Sequence, residues 1–263
     1  MITSPSNAKV KFVRRLQTDR RFRYREQQYV VEGTRWLTEL VKMARPPELL
    51  CYTEQWLGTA VHAQILQQLS TLAQSAPLLV SESVMQAMSD TSTPAGILAV
   101  LSMQPRPLPQ NPTLLLVLDA INTPGNLGTM LRTAGAAGVD GVLLGPDCVD
   151  LYNPKVVRGS MGAHLRLPVH SQSWAEIANT VQTMQVWLAT IDAETAYTAV
   201  NWTRPSVLII GSEAAGAGHD ARQLTHHHLT IPMPAATESL NAAVATGIIL
   251  FEAARQRLIN ESA

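Results

Sequence analysis

The second half of the sequence sets polar residues directly behind short apolar runs. One apolar run, residues 207–210, ends in a Gly-Ser-Glu segment at 211–213. Another run, residues 229–231, leads through two prolines into a polar segment at 238–241. Short apolar runs that end at glycine or proline are typical of strands, and open α/β sheets bind ligands outside the carboxyl ends of their strands. The pattern therefore predicts a ligand site at a sheet edge, built from exposed backbone groups and a few polar side chains.

An earlier segment offers two more polar side chains to such a site. An apolar run ends near Asp119, a Pro-Gly turn follows, and Asn126 and Arg132 come next. Asn126 stands where a helix N-cap is expected, and a single arginine in such a helix is usually a surface residue. Taken alone, the two residues indicate a capped helix. A shared substrate would require the start of that helix to tilt toward the sheet edge.

The last predicted helix, residues 240–259, begins at the polar loop. Leu240, Val244, Ile248 and Phe251 recur at helical spacing, and alanines add helix propensity. The first backbone N–H groups of a helix have no partner inside it. They are therefore available to a ligand bound in the preceding loop.

Generic cofactor and nucleophile motifs are weak or missing in the sequence. There is no P-loop pattern for ATP. Residues 216–221 formally match the dinucleotide pattern G-x-G-x-x-A with Glu238 downstream, but the strand ends at Gly211 and little room is left for the long helix that this motif requires. The three histidines at 226–228 favour a surface loop over a metal site. Ser160 favours a packing turn over a hydrolase nucleophile.

Strand-like and helix-like segments alternate over residues 113–263. Apolar runs of strand length occupy 114–118, 142–144, 167–169, 186–190, 207–210 and 229–231, and helix-like stretches occupy 127–137, 174–184 and 240–259. Strands that are apolar throughout are typical of parallel sheets buried on both faces. We therefore predict a C-terminal α/β domain at 113–263, with helices on both faces of a parallel sheet.

The first part of the chain predicts a second, smaller domain. Residues 104–112 carry four prolines, which favour an extended interdomain linker. Before this linker, helix-like stretches at 32–41 and 60–72 alternate with strand-like runs at 49–52, 78–80 and 97–101. We therefore expect a small α/β domain over residues 1–103.

A net charge of zero hides a basic segment at the start of the chain. Residues 1–25 hold eight Lys and Arg against one Asp, a net charge of +7, so the remaining residues carry −7. Phe12, Phe22 and Tyr24 lie among the basic residues, a combination that suits phosphate neutralisation with base stacking. A solvated amphipathic helix with arginines on its outer face explains the pattern equally well. The first interpretation makes Arg14, Arg15, Arg21 and Arg23 candidate contacts to a nucleic acid.

Membrane segments, disulfides and metal sites find no support in the sequence. No run approaches the ~20 apolar residues of a membrane-spanning helix, and the first residues lack the apolar core of a secretory signal. Cys51 and Cys148 lie far apart, without a thiolate ligand pattern. We expect a cytoplasmic protein without a metal, in which both cysteines are ordinary thiols.

Three ordered blocks of the sequence resemble the motifs of the SpoU (TrmH) family of RNA ribose methyltransferases. The first block, residues 118–134, contains Asn126 and Arg132, the second is 156–163, and the third is 211–245. The resemblance extends over roughly residues 113–260, and three blocks in order are far more specific than one. Segments 29–33 and 89–100 are similar to the N-terminal substrate-binding domain of these enzymes, which resembles ribosomal protein L30e.

This resemblance implies S-adenosylmethionine-dependent methylation of a ribose 2′-hydroxyl in structured RNA, with ribosomal RNA favoured over transfer RNA. It also implies a C-terminal segment threaded into a trefoil knot of the SPOUT type, and a homodimer whose sites lie beside the dimer interface. The cofactor-binding residues carried over are Gly211, Ile231 and Leu240. The catalytic residues carried over are Asn126, Arg132, Glu213, Ser239 and Asn241.

The roles of these residues follow from the resemblance and from their chemistry. The family proposal makes the arginine a general base, but a guanidinium is protonated near neutral pH, so Arg132 is better suited to clamping the phosphate beside the reacting ribose. Asn126 would orient Arg132 or the ribose, and Glu213 would hold polar partners near the cofactor. Ser239 and Asn241 would organise the loop before the last helix. A purely structural role stays open for Glu213 and Ser239.

Two other functions stay open at this point. A noncatalytic RNA-binding protein could retain the fold, although a scaffold does not need all five catalytic positions together. A nicotinamide-dependent oxidoreductase would use the dinucleotide pattern at residues 216–221.

Overall fold

The computed structural model describes residues 1–73, 75–213, 215–225, 227–233 and 239–261. The chain forms two compact units. Unit 1 comprises Met1–Gln104 and Tyr152–Gly162, and unit 2 comprises Pro105–Leu151 and Ala163–Ala263. The domain limits predicted from the sequence treat each domain as one continuous segment, whereas unit 1 includes a short helical segment from the second half of the chain.

Unit 1 combines a four-stranded sheet with helices, as the pattern of the first part predicts. Its elements are α1 (Ala8–Thr18), α2 (Arg20–Glu26), β1 (Gln28–Glu32), α3 (Thr34–Lys42), β2 (Leu49–Tyr52), α4 (Glu54–Leu57), α5 (Ala60–Leu72), β3 (Leu78–Leu79), α6 (Glu82–Met88), β4 (Ile97–Ser102) and α8 (Pro154–Ser160). The strand order is β1-β4-β2-β3, with β4 antiparallel to both neighbours and β2 parallel to β3.

Helix α1 shows why the basic segment folds as a helix. The Asn7 side chain accepts a hydrogen bond of 2.9 Å from the backbone N of Lys9 and caps the helix start. Val10, Val13 and Leu16 recur every three residues and are buried against the core of unit 1. The apolar stripe fixes one face of the helix, so the basic residues between these positions turn outward.

Unit 2 is a six-stranded parallel sheet with helices, as predicted for the C-terminal part. Its elements are β5 (Leu114–Leu118), α7 (Pro124–Ala136), β6 (Gly141–Leu144), α9 (Ala163–Arg166), β7 (Val169–Ser171), α10 (Trp174–Val181), β8 (Gln185–Ala189), β9 (Ser206–Ile210), α11 (His219–Gln223), β10 (His227–Leu229) and α12 (Ala242–Glu261). The strand order is β10-β8-β9-β5-β6-β7, and every neighbouring pair is parallel.

Both faces of this sheet are buried. Leu115 and Val117 of β5 pack in one cluster with Ile177 of α10 and Ala221 of α11. The alternate residues of β5, on the opposite face, are also fully buried. Helices α7 and α12 contact each other in the same unit. The wholly apolar strands of the sequence are explained by this two-sided burial.

Four local predictions need correction. The N-cap of α7 is Thr123, with Pro124 in the first turn, so Asn126 lies inside the helix. Strand β7 begins at Val169 because the residues before it form helix α9 and a bend at Leu167. The final helix begins at Ala242 rather than residue 240. His227 and His228 belong to the edge strand β10 rather than to a loop, and His226 lies outside the described residues.

Other expectations concern segments with little regular structure. Residues 104–112 form no helix or strand, and Leu108 packs partly buried against the core of unit 2. Ser160 is the last residue of helix α8 rather than part of a turn; it is buried, and its Oγ donates to the backbone oxygen of Val157 at 2.8 Å. The trefoil knot stays a prediction, and Glu238 lies outside the described residues.

No helix in the described part of the chain is long and apolar enough to cross a membrane.

Candidate active site

A cavity of about 550 Å³ opens in unit 2 at the carboxyl ends of β8, β9 and β10. The three strands are neighbours in the parallel sheet, so the loops that follow them meet at one edge. The volume is typical of a site for a cofactor or small molecule. Residues from these loops and from the segment before α12 line the cavity, among them Thr190, Asp192, Gly211, Glu213, Ile231 and Leu240.

The loop after β9 is a tight turn that requires glycine. Ser212 and Gly216 exchange backbone hydrogen bonds of 2.9 Å, and Gly216 has a φ of 66°. A Cβ atom on Gly211 would lie 2.4 Å from the backbone N of Ala217. Only glycine allows the end of β9 to lie so close to the returning chain. The cavity wall at Gly211 is therefore made of backbone.

Asp119, directly after the neighbouring strand β5, forms a hydrogen bond with the same loop. It follows β5, is buried, and accepts a hydrogen bond of 2.6 Å from the backbone N of Gly218. Burial raises the pKa of the Asp119 carboxyl, and the bond from Gly218 acts in the opposite direction. Sequence reasoning gave Asp119 no role. The available signal was an acidic residue directly behind a wholly apolar strand.

Asn241 joins the first and third blocks by hydrogen bonds. Its Nδ2 donates to Asn126 Oδ1 at 3.2 Å and also to Glu213 Oε1. The structure therefore brings together three of the five residues expected to be catalytic. We refer to Asn126, Glu213 and Asn241 as the polar trio.

Two residues of the polar trio cap the start of helix α12. Asn241 Oδ1 accepts hydrogen bonds from the backbone N of Ala243 at 3.0 Å and of Val244 at 3.2 Å, which is the geometry of a cap. Glu213 Oε1 accepts from the backbone N of Ala242 at 3.2 Å, where the helix dipole favours a carboxylate. The structural role left open for Glu213 is therefore present, and the same contacts fix where its side chain lies.

Arg132 and Ser239 do not share this hydrogen-bond network. Arg132 is exposed on α7, and no hydrogen bond or ion pair joins it to any residue in the described ranges. Its guanidinium is therefore available to an anionic ligand such as a phosphate. Ser239 is exposed and lines the cavity.

The three residues expected to bind the cofactor all line the cavity. Gly211 contributes backbone, and Ile231 and Leu240 contribute apolar side chains. Sequence reasoning missed other lining residues, notably Asp192 and Arg222, which add one charge of each sign. Asp192 comes two residues after the predicted strand 186–190, so its position behind an apolar run was the signal that could have identified it.

The dinucleotide pattern at 216–221 does not have the structure that its function requires. Strand β9 ends at Ile210, and the helix within the pattern, α11, has five residues. The backbone N–H of Gly218 is already bonded to Asp119. A single helical turn in this position does not resemble the long helix that receives a pyrophosphate.

Metal and thiol chemistry likewise find no support in the part of the chain that the structure describes. Over these residues, no three or more His, Cys, Asp or Glu side chains form a group that could hold a metal ion. Cys51 and Cys148 are free thiols, and burial raises their pKa to about 12 and about 11. A thiol with a raised pKa is a poor nucleophile near neutral pH.

The four arginines proposed as RNA contacts in unit 1 differ in their surroundings. Arg14 and Arg21 are exposed on α1 and α2. Arg15 is exposed but pairs with Asp19 at 3.3 Å. Arg23 is only 3% exposed, and its Nη1 donates to the backbone oxygen of Leu16 at 2.7 Å. The prediction for Arg23 was therefore wrong, because this side chain ties α2 to the end of α1 inside the unit.

The aromatic residues of the basic segment also differ in accessibility. Phe22 is buried and packs edge-on against Phe12, with ring centroids 5.4 Å apart. The guanidinium groups of Arg15 and Arg25 lie 4.3 and 4.8 Å from the centroid of the Phe22 ring. Phe22 therefore belongs to the core and does not offer a face for base stacking, whereas Tyr24 is 37% exposed.

Comparison with known proteins identifies the family. Residues 113–251 match the SpoU rRNA Methylase family, and residues 7–99 match the MRM3-like substrate binding domain. The chain is 37% identical to an uncharacterised tRNA/rRNA methyltransferase of Synechocystis sp., over 97% of this chain and 94% of that protein. It is 30% identical to the 23S rRNA (guanosine(2553)-2′-O)-methyltransferase RlmP of Bacillus subtilis, over 95% of this chain and 97% of that protein.

A solved structure agrees with these sequence relationships. The SpoU methyltransferase AviRb from Streptomyces viridochromogenes, in complex with the cofactor AdoMet, matches with a TM-score of 0.85 and 26% identity. The match covers 96% of this chain and 100% of that chain. The family resemblance inferred from three sequence blocks is confirmed, and the chain belongs to the SpoU rRNA Methylase family.

Proposed function

We propose that this protein is an S-adenosylmethionine-dependent RNA 2′-O-ribose methyltransferase that acts on ribosomal RNA. The observation that carries the proposal is the position of the polar trio at the start of α12, with Glu213 lining the cofactor-sized cavity. The named relative RlmP methylates a ribose of 23S rRNA, and AviRb holds AdoMet in its solved complex. We also propose that its partner is RNA and that it acts in the cytoplasm.

The cavity suits S-adenosylmethionine, which supplies an activated methyl group when bound. Ile210, Ile231, Leu240 and Ile249 give an apolar lining for an adenine ring. The backbone wall at Gly211 offers space and polar groups without a side chain. The fit rests on both features, since an adenine combines an apolar face with polar edges.

Residues of this chain would align the RNA ribose with the methyl donor. Arg132 clamps the phosphate beside the reacting ribose, which its planar fork of N–H donors suits. Asn126 orients the ribose or Arg132, and its own orientation is fixed by Asn241. Because the methyl donor is already activated, alignment is the main task, and positioning can supply up to ~7–11 kcal/mol.

RNA affinity would come partly from the basic surface of α1 and α2. Arg14 and Arg21 are exposed, while Arg15 already pairs with Asp19. We expect a double substitution, Arg14→Ala with Arg21→Ala, to weaken RNA binding and to reduce the salt slope by up to about two, because each phosphate contact releases counterions. Arg15→Ala is the matched control and should change the slope less. If RNA affinity and its salt slope are unchanged in the double variant, these arginines belong to a solvated helix face and do not contact RNA.

We propose a homodimer formed through helix α12. Val244, Phe251 and Leu258 are spaced seven residues apart and are 52%, 53% and 64% exposed. A seven-residue repeat places the three side chains along one side of the helix. An exposed apolar stripe of this kind is typical of a helix that packs against a partner. The family resemblance likewise implies a homodimer with its sites beside the interface.

The function can be tested in cells. Ribose methylation should be mapped across ribosomal and transfer RNA with and without this protein, and a single ribosomal nucleotide should lose its 2′-O-methyl group. Restoring the protein should restore that methyl group, and restoring an Arg132→Ala variant should not. An unchanged methylation map would favour a noncatalytic RNA-binding role.

A further inference from the structure

One acidic residue that lines the cavity, Asp192, neither belongs to the polar trio nor has a structural role described above. Three charged residues stand among the described lining residues: Asp192, Glu213 and Arg222. Glu213 is engaged by Asn241 and by the backbone N of Ala242. Arg222 uses its Nε to donate to the backbone oxygen of Ala217 at 3.0 Å. Asp192 is exposed on the loop after β8.

The surroundings of Asp192 favour its ionised form. The Thr190 hydroxyl and its own backbone N–H hold the pKa of Asp192 below its usual range, and the positive charges of Arg222 and His228 act in the same direction. Arg222 lines the same cavity, and its positive charge offsets part of the negative charge of Asp192. Arg222 is the single cationic residue among the described lining residues.

The cofactor offers two kinds of group to a carboxylate at this position. Its sulfonium and ammonium are cations, and its ribose presents two neighbouring hydroxyl donors. A carboxylate whose charge is offset by a guanidinium attracts a cation weakly but still accepts hydrogen bonds at both oxygens. The adjacent hydroxyls of a ribose match those two oxygens. An acidic side chain in the loop after a parallel strand serves the same purpose in dinucleotide sites.

We infer that Asp192 accepts hydrogen bonds from the ribose hydroxyls of bound S-adenosylmethionine and so positions the nucleoside at the mouth of the cavity. This inference rests on the proposed function. It makes Asp192 a cofactor-positioning residue on the loop after β8, separate from the polar trio at the start of α12.

Calorimetry with the full-length protein tests this inference without any measurement of activity. The ligands are S-adenosylhomocysteine and its 2′-deoxy and 3′-deoxy analogues, which differ only in the ribose hydroxyls. The wild type should bind at least one deoxy analogue about tenfold more weakly than the parent, as expected for loss of a hydrogen bond to a charged group. Asp192→Asn should bind the parent about tenfold more weakly, and removal of the same hydroxyl should then cost it little further affinity.

Glu194→Gln is the matched control, because Glu194 is an exposed acid two residues along the same loop and does not line the cavity. It should bind all three ligands as the wild type does. Equal binding of the parent and both deoxy analogues by the wild type would overturn the inference, even if Asp192→Asn failed to fold. An equal loss for all three ligands in Asp192→Asn would also overturn it and would point to the cationic part of the cofactor. Failure of the wild type to bind either S-adenosylhomocysteine or S-adenosylmethionine would overturn the proposed function itself.

Discussion

At the scale of single residues, the site depends on side chains that serve the fold and the chemistry together. Asn241 caps α12 with its oxygen and holds Asn126 and Glu213 with its nitrogen. An asparagine is suited to this position because it carries an acceptor and a double donor on one short side chain. An aspartate would keep the cap but would lose both donated hydrogen bonds.

We expect Asn241→Ala to reduce methyl transfer by about tenfold to a hundredfold and the free energy of unfolding by about 1 kcal/mol, the usual effect of losing a helix cap. Single-turnover transfer and thermal unfolding measure the two effects separately. Ser173→Ala is the control, because Ser173 caps α10 in the same unit through the backbone N of Glu176 and lies outside the cavity lining. It should lower stability by a similar amount and leave transfer unchanged. Equal losses of transfer in the two variants would reduce Asn241 to a cap.

Local sequence patterns alone would not have identified the site residues. Asn126 and Arg132 would have been assigned to a cap and a surface if only their neighbours were considered. The family blocks carried the functional assignment, and the structure then joined Asn126 to Asn241 across the fold. Asp119 and Asp192 were missed, because the significance of an acid behind a strand depends on which loop it faces.

At the scale of elements, the parallel strands β8, β9 and β10 decide where the cavity forms. Their carboxyl ends lie side by side, so three loops distant in sequence converge. The apolar runs were visible in the sequence, and most strand bounds follow from them within one or two residues. The position of His227 and His228 in β10 was not visible, since pairing with β8 rather than local composition makes that segment a strand.

We predict that Gly211→Ala abolishes cofactor binding and lowers the free energy of unfolding by about 1–3 kcal/mol, because the new Cβ meets backbone atoms that cannot move independently. Calorimetric titration with S-adenosylmethionine and thermal unfolding are the measurements. Gly135→Ala serves as the control: its Cβ would meet only the Ala163 Cβ at 3.9 Å, and the position lies within α7. This control should bind normally and gain up to about 1 kcal/mol of stability. Wild-type affinity in Gly211→Ala would show that the turn tolerates a side chain.

At the scale of the whole molecule, the residues proposed for methyl transfer and those proposed for RNA binding lie in different units. The cavity and the polar trio lie in unit 2, and the basic helices α1 and α2 lie in unit 1. The sequence predicted two α/β units, but the segment 104–112 that it assigned to a linker lies almost entirely in unit 2. It did not predict that residues 152–162 cluster with unit 1, since no local pattern states which core a short helix will join.

The stripe on α12 gives a prediction about assembly. We expect Phe251→Glu to convert a dimer into a monomer, because the substitution places a charge in the middle of the apolar stripe. Sedimentation or light scattering at several protein concentrations measures the change. Val61→Glu is a matched control, since Val61 is 64% exposed on α5 and lies outside this stripe. A wild-type protein that stays monomeric at all concentrations would refute the dimer.

The central claim is that this chain transfers a methyl group from S-adenosylmethionine to a ribose of ribosomal RNA with the help of Arg132. Its most direct test is single-turnover transfer to a responsive unmodified ribosomal RNA transcript, measured together with cofactor affinity for the wild type, Arg132→Ala, Arg132→Lys and the exposed control Arg204→Ala. We predict 2′-O-methylation by the wild type and by the control. Arg132→Ala should lose about a hundredfold or more in rate with cofactor affinity intact, and lysine should rescue poorly because it lacks the planar fork. Transfer at the wild-type rate by Arg132→Ala would contradict the account.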